Sequence, residues 1–268
     1  MLRPLGAKIG EGATADVYDW TPGRVLKLFK AGLPHRISAH EARMTRAVFA
    51  AGGLAPEVFE EVTVDARAGF VMARLEGPTL MQAAKSKAVS YAQAGAILAE
   101  RLLAVHATPP PQDVPKLCDY VAASLRRTPD ALPQPIAASV LALIDRLSPQ
   151  DGLCHGDPNP GNVILTGDGP RLIDWIAAMR APAAFDLASA HVMLAELAPH
   201  IADDPERPRA VNAALQTAYA GLAGTSPEAL AASTAPYLPV VRALALLGGA
   251  VPAQRARLQK RLEEDFLP

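Results

Sequence analysis

The chain has 268 residues, 26 Lys+Arg against 27 Asp+Glu for a net charge of −1, and half of its residues are hydrophobic. That length suits one large domain or two modest lobes. The near-neutral balance argues against a broad nucleic-acid surface or a polybasic membrane anchor, and the apolar content excludes disorder.

The first 76 residues read as β-rich. A short strand ends at Gly10. Two more cover residues 14–20 and 24–30 around the turn Thr21-Pro22-Gly23. A helix is expected over residues 38–51, stopped by Gly52-Gly53, and a hairpin over residues 58–64 and 70–75 around a turn at 65–69. After Gly77-Pro78 the spacing becomes helical. Tyr91, Ala94, Leu98, Leu102 and Val105 follow the i, i+3, i+4 rule of a buried face, and Pro109-Pro110-Pro111 ends that helix. Two helices over residues 114–127 and 135–147 follow. Short β segments come at 163–165 and 171–173, then four helical stretches, one opening at Ser226-Pro227-Glu228 with Ser as N-cap. Proline, 25 of 268 residues without a short repeat, punctuates these helices and loops. The predicted fold is α+β and bilobal. A small antiparallel-sheet lobe with one helix spans residues 1–76, and a larger mainly helical lobe with one inserted hairpin spans residues 77–268.

Cys118 and Cys154 are too few for a disulfide framework or a four-ligand zinc site. The start, Met1-Leu2-Arg3-Pro4-Leu5-Gly6, has no apolar h-region. No run of 18 residues is apolar throughout, and the best candidate, residues 240–251, is broken by Arg242. The expected setting is cytoplasmic, with no membrane partner and no nucleic acid.

The densest chemistry lies in Cys154-His155-Gly156-Asp157-Pro158-Asn159-Pro160-Gly161-Asn162, followed by Arg171-Leu172-Ile173-Asp174-Trp175. A hairpin closing symmetrically about Asp168 pairs Ile164 with Leu172 and sets Asn162 opposite Asp174. Asn162 and Asp174 are hard oxygen donors suited to Mg²⁺. Asp157, on a Gly- and Pro-rich loop beside them, suits a proton acceptor. Each residue alone also fits an ordinary turn; the joint pattern points to a metal–phosphate site. In the first lobe, Gly10-Glu11-Gly12-Ala13-Thr14-Ala15 places small residues between two strands, where backbone can approach phosphates. Ala15 stands where a third glycine would complete Gly-x-Gly-x-x-Gly, and a Walker-type loop is absent from this segment. Lys27, on an apolar strand face with Val25 and Phe29, needs an anion partner. Glu41, on the apolar stripe of the next helix with Ile37, Met44 and Val48, can supply one.

His155-Gly156-Asp157-x-x-Pro160-x-Asn162 with Ile173-Asp174-Trp175 resembles the aminoglycoside phosphotransferase and choline kinase group, small-molecule kinases of protein-kinase-like fold. The resemblance covers about residues 6–190. It implies a catalytic Asp157 engaging a substrate hydroxyl, Mg²⁺ ligands Asn162 and Asp174, and a mainly structural Asp186. It implies that Gly10, Gly12 and Ala13 with Lys27, oriented by Glu41, hold the phosphates of ATP, with GTP open. It also implies that the backbone of Ala73 and Leu75 meets the purine, with Met72 behind it. The expected acceptor is a small molecule bearing a hydroxyl, such as an aminoglycoside, choline, ethanolamine or a sugar-type metabolite. Gly156 stands where protein kinases carry the Arg of His-Arg-Asp, which argues against a protein-directed kinase. All of Lys27, Asp157, Asn162 and Asp174 are present, which argues against a nucleotide-binding pseudokinase.

His35, His40, His106, His191 and His200 show no metal-ligand spacing, and Cys154 beside His155 points the other way on an extended chain. Residues 151–206 carry nine acidic and two basic groups, net −7. Glu196, Asp203, Asp204 and Glu206, with Glu263, Glu264 and Asp265 at the end, read either as solvated helix ends or as contacts for a cationic acceptor.

Overall fold

The structure, a computed structural model, describes residues 4–147, 151–248 and 251–266. Met1 to Arg3 of the N-terminal reading, and Gly249 and Ala250 of the apolar candidate, lie outside the described residues.

Five antiparallel strands form the N-terminal sheet: β1 (Lys8–Glu11), β2 (Ala15–Thr21), β3 (Arg24–Phe29), β4 (Val58–Val64) and β5 (Arg67–Ala73), in the order β1-β2-β3-β5-β4. β3 is central, so its side chains are buried on both faces from Val25 to Phe29. Leu26 and Leu28 pack with Val64 and Val71 on one face; Phe29 and Phe70 pack with Ala42 of helix α1 (His35–Gly52) on the other. α1 starts three residues earlier than expected. Pro34 ends the preceding loop, and its carbonyl accepts from the Ile37 N–H at 3.0 Å. The helix closes on Gly53, whose left-handed backbone (φ 69°) lets its N–H reach the Phe49 carbonyl.

The hairpin turn between β4 and β5 is Asp65-Ala66 alone, both at positive φ (49° and 62°). Residues 67–69, expected in the turn, belong to the strand. Gly69 marks a close approach of strands, since a Cβ there would lie 2.6 Å from the Lys27 carbonyl.

The helical part begins with α2 (Leu80–Lys85), a short helix that periodicity does not reveal. A reciprocal capping box defines it, with Thr79 Oγ1 accepting from the Gln82 N–H and Gln82 Oε1 from the Thr79 N–H. α3 (Tyr91–His106) buries Ala94, Leu98, Leu102 and Val105, the face expected from their spacing. α4 (Leu117–Arg127) and α5 (Gln134–Arg146) follow. A two-residue strand β6 (Leu153–Cys154) leads into the loop of interest. β7 (Val163–Thr166) and β8 (Gly169–Leu172) form the inserted hairpin, and β9 (Met179–Arg180) pairs back onto β6. α6 (Ala183–His191) runs into a π-helical turn over Val192–Leu197. α7 (Glu206–Leu222) lies along α3. α8 (Pro227–Thr234) and α9 (Leu238–Leu247) run nearly continuously through a short 3₁₀ turn, and α10 (Pro252–Phe266) ends the described chain.

The stretch Pro227–Leu247 is long and apolar enough to cross a membrane by length and composition, with mean hydropathy 1.4, and half of that window is buried inside the molecule. Its inward side chains, Tyr237, Val240, Val241 and Leu246, join Val121, Val140, Phe185 and Leu262 in one core. A second core joins Met44 and Val48 of α1 to Leu98, Leu102, Leu172, Trp175 and Leu215, so the sheet part is fastened to the helical part through α1. Each fully buried Leu or Val in these cores contributes about 1.5–3 kcal/mol.

Candidate active site

The loop after β6 is fastened from below by Asp186, which is fully buried on α6. Its Oδ2 accepts the His155 N–H and its Oδ1 accepts the Gly156 N–H, both at 2.8 Å. Ser189 Oγ donates to the Gly156 carbonyl at 2.9 Å. Gly156 sits at φ 85°, and a Cβ there would collide with the Ala177 carbonyl, so this position excludes the larger residue that protein kinases carry. The buried His155 ring packs at a tilt against Trp175, with Nε2 3.0 Å from the Ile173 carbonyl and Nδ1 accepting the Asp157 N–H at 3.3 Å. These partners fix the tautomer with hydrogen on Nε2.

Asp157 is half-buried and held from two sides. Asn159 Nδ2 donates to its Oδ1 at 3.1 Å and Asn162 Nδ2 donates to its Oδ2 at 3.0 Å. Burial pushes its carboxyl up; His155 and the two amides pull against this, and nearby Asp174 adds to the rise. The Asn162 amide hydrogens are spent on Asp157, on both Oδ2 and the carbonyl, so its Oδ1 remains available as a ligand.

The hairpin register differs from the symmetric expectation by one residue. Thr166 pairs with Gly169, Ile164 with Arg171 and Val163 with Leu172. The turn is the two residues Gly167-Asp168, with Gly169 taking the positive φ (107°) that closes it. Asn162 therefore faces Ile173, whose N–H reaches the Asn162 carbonyl at 2.9 Å, and not Asp174. Asp174 comes to the site by a different route. It adopts a left-handed backbone (φ 65°, ψ 64°) that swings the chain out of the strand into a 3₁₀ turn. Its Oδ1 then lies 3.4 Å from Lys27 Nζ.

Lys27 pairs with Glu41 as the strand and helix faces suggested. Burial alone would lower the lysine, but Glu41 and Asp174 outweigh it and hold the ammonium above its ordinary value. Glu41 Oε2 is buried without a hydrogen-bond partner among the described residues, and burial pushes this carboxyl up to about 7 against the pull of Lys27.

A cavity of about 450 Å³ lies between the sheet and the helical part. Gly10, Gly12, Lys27, Glu41, Met72, Ala73, Leu75, Asn162 and Asp174 line it; Ala13 and Asp157 do not. Asp157 connects to the wall through Asn162, whose Nδ2 donates to its carboxylate. The Ala73 N–H is spent on the Glu57 carbonyl at 2.9 Å. The Leu75 N–H has no hydrogen-bond partner among the described residues. Sequence reasoning missed Thr45, Thr79, Gln82, Ile164 and Ile173 on the wall. The capping pattern Thr79-x-x-Gln82 was the one readable signal for two of them.

Most acidic groups at the C-terminal side are exposed, as solvated helix ends are, and Glu196 is the one drawn inward. Glu196 and Asp265 both bind the buried Arg242, at 2.5 and 2.7 Å. Asp204 and Glu206 pair with Arg207 and Arg209 one turn on, and Glu264 with Lys260 and Arg261. His106, Cys154 and Asp186 come within ligand distance of one another, a grouping the spacing did not suggest. It does not suit a metal. The Cys154 thiol donates to the Ala181 and Pro182 carbonyls, and burial pushes it well up. His106 spans Tyr219 Oη and Asp186.

An ion-paired lysine under a five-stranded sheet, across a cleft from a fastened Asp/Asn loop, places the molecule among the protein-kinase-like folds. The chain belongs to the phosphotransferase enzyme family, whose model matches residues 6–225. Among solved structures, a choline/ethanolamine kinase family protein from Mesorhizobium loti has a TM-score of 0.61 at 18% identity, over 99% of this chain and 89% of that one. The streptomycin–ATP–APH(2'')-IIa ternary complex gives 0.55 at 16%, over 98% and 91%. ADP-bound aminoglycoside phosphotransferase APH(2'')-Ib gives 0.55 at 17%, over 99% and 92%. At these identities the likeness is one of fold. No curated protein sequence matches the chain.

Proposed function

We propose that the protein transfers the γ-phosphate of Mg·ATP to a hydroxyl of a small molecule. Residues 1–76 serve as the nucleotide lobe and residues 77–268 carry the catalytic loop and acceptor cleft. The observation that carries this reading is the connection of Asp157, through Asn162, to a cavity whose walls hold Lys27, Asn162 and Asp174.

Lys27, held by Glu41, is the cation for the nucleotide's phosphates, and Gly10 and Gly12 allow close backbone approach above them. Asn162 Oδ1 and the Asp174 carboxylate are hard oxygen donors that fit Mg²⁺, which neutralises phosphate charge when bound. With its N–H engaged, Ala73 offers the purine only its carbonyl, and Leu75 offers an N–H. That acceptor–donor order suits adenine. Asp157, its carboxyl raised by burial, orients the acceptor hydroxyl and takes its proton. The hydroxyl oxygen bonds to the γ-phosphorus as the bond to the bridging oxygen breaks and ADP leaves. Most of the rate gain comes from positioning and electrostatics. A cytoplasmic setting and an acceptor recognised through its hydroxyl are part of this reading. Glu196 and Asp265 are committed to Arg242, so they lend no support to a cationic one.

The decisive experiment is a coupled-kinase screen with Mg·ATP against hydroxyl-bearing metabolites and antibiotics, run with wild type and Asp157→Ala. The variant is expected to bind Mg·ATP normally and to lose turnover by about 10²–10⁴-fold. Full phosphoryl transfer by Asp157→Ala would overturn the role of this residue.

A further inference from the structure

We propose that Asn159 is a positioning residue for phosphoryl transfer, holding the Asp157 carboxylate in its reactive orientation. This rests on the phosphotransferase reading above and adds a residue to it.

Asn159 has a split amide. Its Oδ1 accepts the Gly161 N–H at 2.8 Å and caps the short 3₁₀ turn Pro160–Asn162. A backbone N–H can only donate, so this bond fixes which way the amide faces and leaves Nδ2 pointing at Asp157. Nδ2 then meets Asp157 Oδ1 at 3.1 Å and the Asp157 carbonyl at 3.3 Å. Asn162 makes the matching pair from the other side, on Oδ2 and the same carbonyl. The carboxylate is thus gripped through both oxygens by two amides of its own loop. The proline rings of Pro158 and Pro160 on either side of Asn159 are buried and restrict its backbone.

Position 161 is shaped around this contact. A Cβ on Gly161 would lie 2.9 Å from Asn159 Oδ1, so glycine is what admits the cap. The two asparagines differ in what else they do. Asn162 lines the cavity with Asp174 and is assigned to the metal, so replacing it confounds two roles. Asn159 does not line the cavity. Among the described residues it makes no hydrogen bond to Lys27 or Asp174, so its replacement acts on the turn it caps and on the grip on Asp157 while sparing both of those residues. A reacting group misplaced by about 1 Å costs about 10²-fold.

The test compares wild type, Asn159→Ser and Asn159→Ala in Mg·ATP hydrolysis, with water as acceptor, and with any acceptor the screen finds. Asn159→Ser keeps an uncharged oxygen for the Gly161 N–H but lacks the amide that donates to Asp157. Positioning predicts that both variants lose kcat by about 10–100-fold, with KM for ATP and thermal midpoint close to wild type. A residue that only caps the turn predicts loss in Asn159→Ala and wild-type kcat in Asn159→Ser, and that result overturns the proposal. A rise in KM for ATP equal to the loss in kcat/KM would also overturn it, by placing the effect in nucleotide binding. No ATP turnover by wild type would sink the phosphotransferase reading, and this role with it. Turnover by wild type with an unaffected Asn159→Ser sinks only the role of Asn159.

Discussion

Asp174 illustrates how one residue's backbone decides a site. A non-glycine residue at φ 65° is uncommon and costs of order 1 kcal/mol, yet only this turn brings its carboxylate to Lys27. Its presence after an apolar run was readable, whereas its conformation was not, because it depends on where the hairpin register ends. His40 is a second case. Its spacing carried no message, but its Nε2 meets the Ile176 carbonyl at 3.0 Å while Arg43 approaches Nδ1. Burial, with Arg43 and Arg127 nearby, holds this imidazole below its ordinary value. His191 is lowered likewise, mainly by burial. A histidine whose folded value is depressed contributes stability above its unfolded value, near 6.5, and that contribution is lost as pH falls through the folded value. Between pH about 8 and about 5.5 the thermal midpoint of wild type should therefore fall relative to that of His40→Gln, since the opposing contribution of Glu41 is common to both proteins. Parallel curves for the two proteins would refute the contribution of His40.

Among the elements, α3 was the most legible, because its buried positions recur at helical spacing over four turns. What spacing could not show is the partner of that face. α7 approaches so closely that a Cβ on Gly95 would lie 2.5 Å from Ala214 Cβ and 2.7 Å from the Val211 carbonyl. Gly95→Ala gains about 1 kcal/mol of helix propensity but must separate two backbones, an overpacking cost of about 1–3 kcal/mol. The expected outcome is a net loss of stability in urea unfolding, and a stabilised variant would show that the helices separate without strain. The β4–β5 turn failed for the opposite reason. Gly69 reads as a turn residue, but its glycine serves the close passage of β3, while Asp65-Ala66 makes the turn. A local signal cannot tell a turn glycine from one required by a neighbouring strand.

At the scale of the molecule, the cavity is built from both the sheet and the helical part, so a ligand filling it bridges the two. Mg·ATP at about 100 times its Kd should add about 2.7 kcal/mol, a rise of roughly 5–10 °C in thermal midpoint for a chain of this size. Asp174→Ala should lose most of that shift while Asp157→Ala keeps it, because Asp174 lines the cavity and Asp157 does not. Equal shifts in all three proteins would contradict the assignment of Asp174 to the metal. Charge shows where sequence stops. The count placed an acidic excess in residues 151–206, and Asp157, Asp174 and Asp186 of that segment do gather around the loop after β6. It could not show that Glu196 and Asp265 meet on Arg242, 46 residues from one and 23 from the other. The motif residues, the buried helix faces and the Lys27–Glu41 pair were legible because each is written in neighbouring residues or in a single strand–helix step. The hairpin register, the left-handed Asp174, the engaged Ala73 N–H and the Arg242 cluster came from how distant elements pack, where backbone hydrogen bonds and steric fit choose among arrangements that local pattern leaves equal.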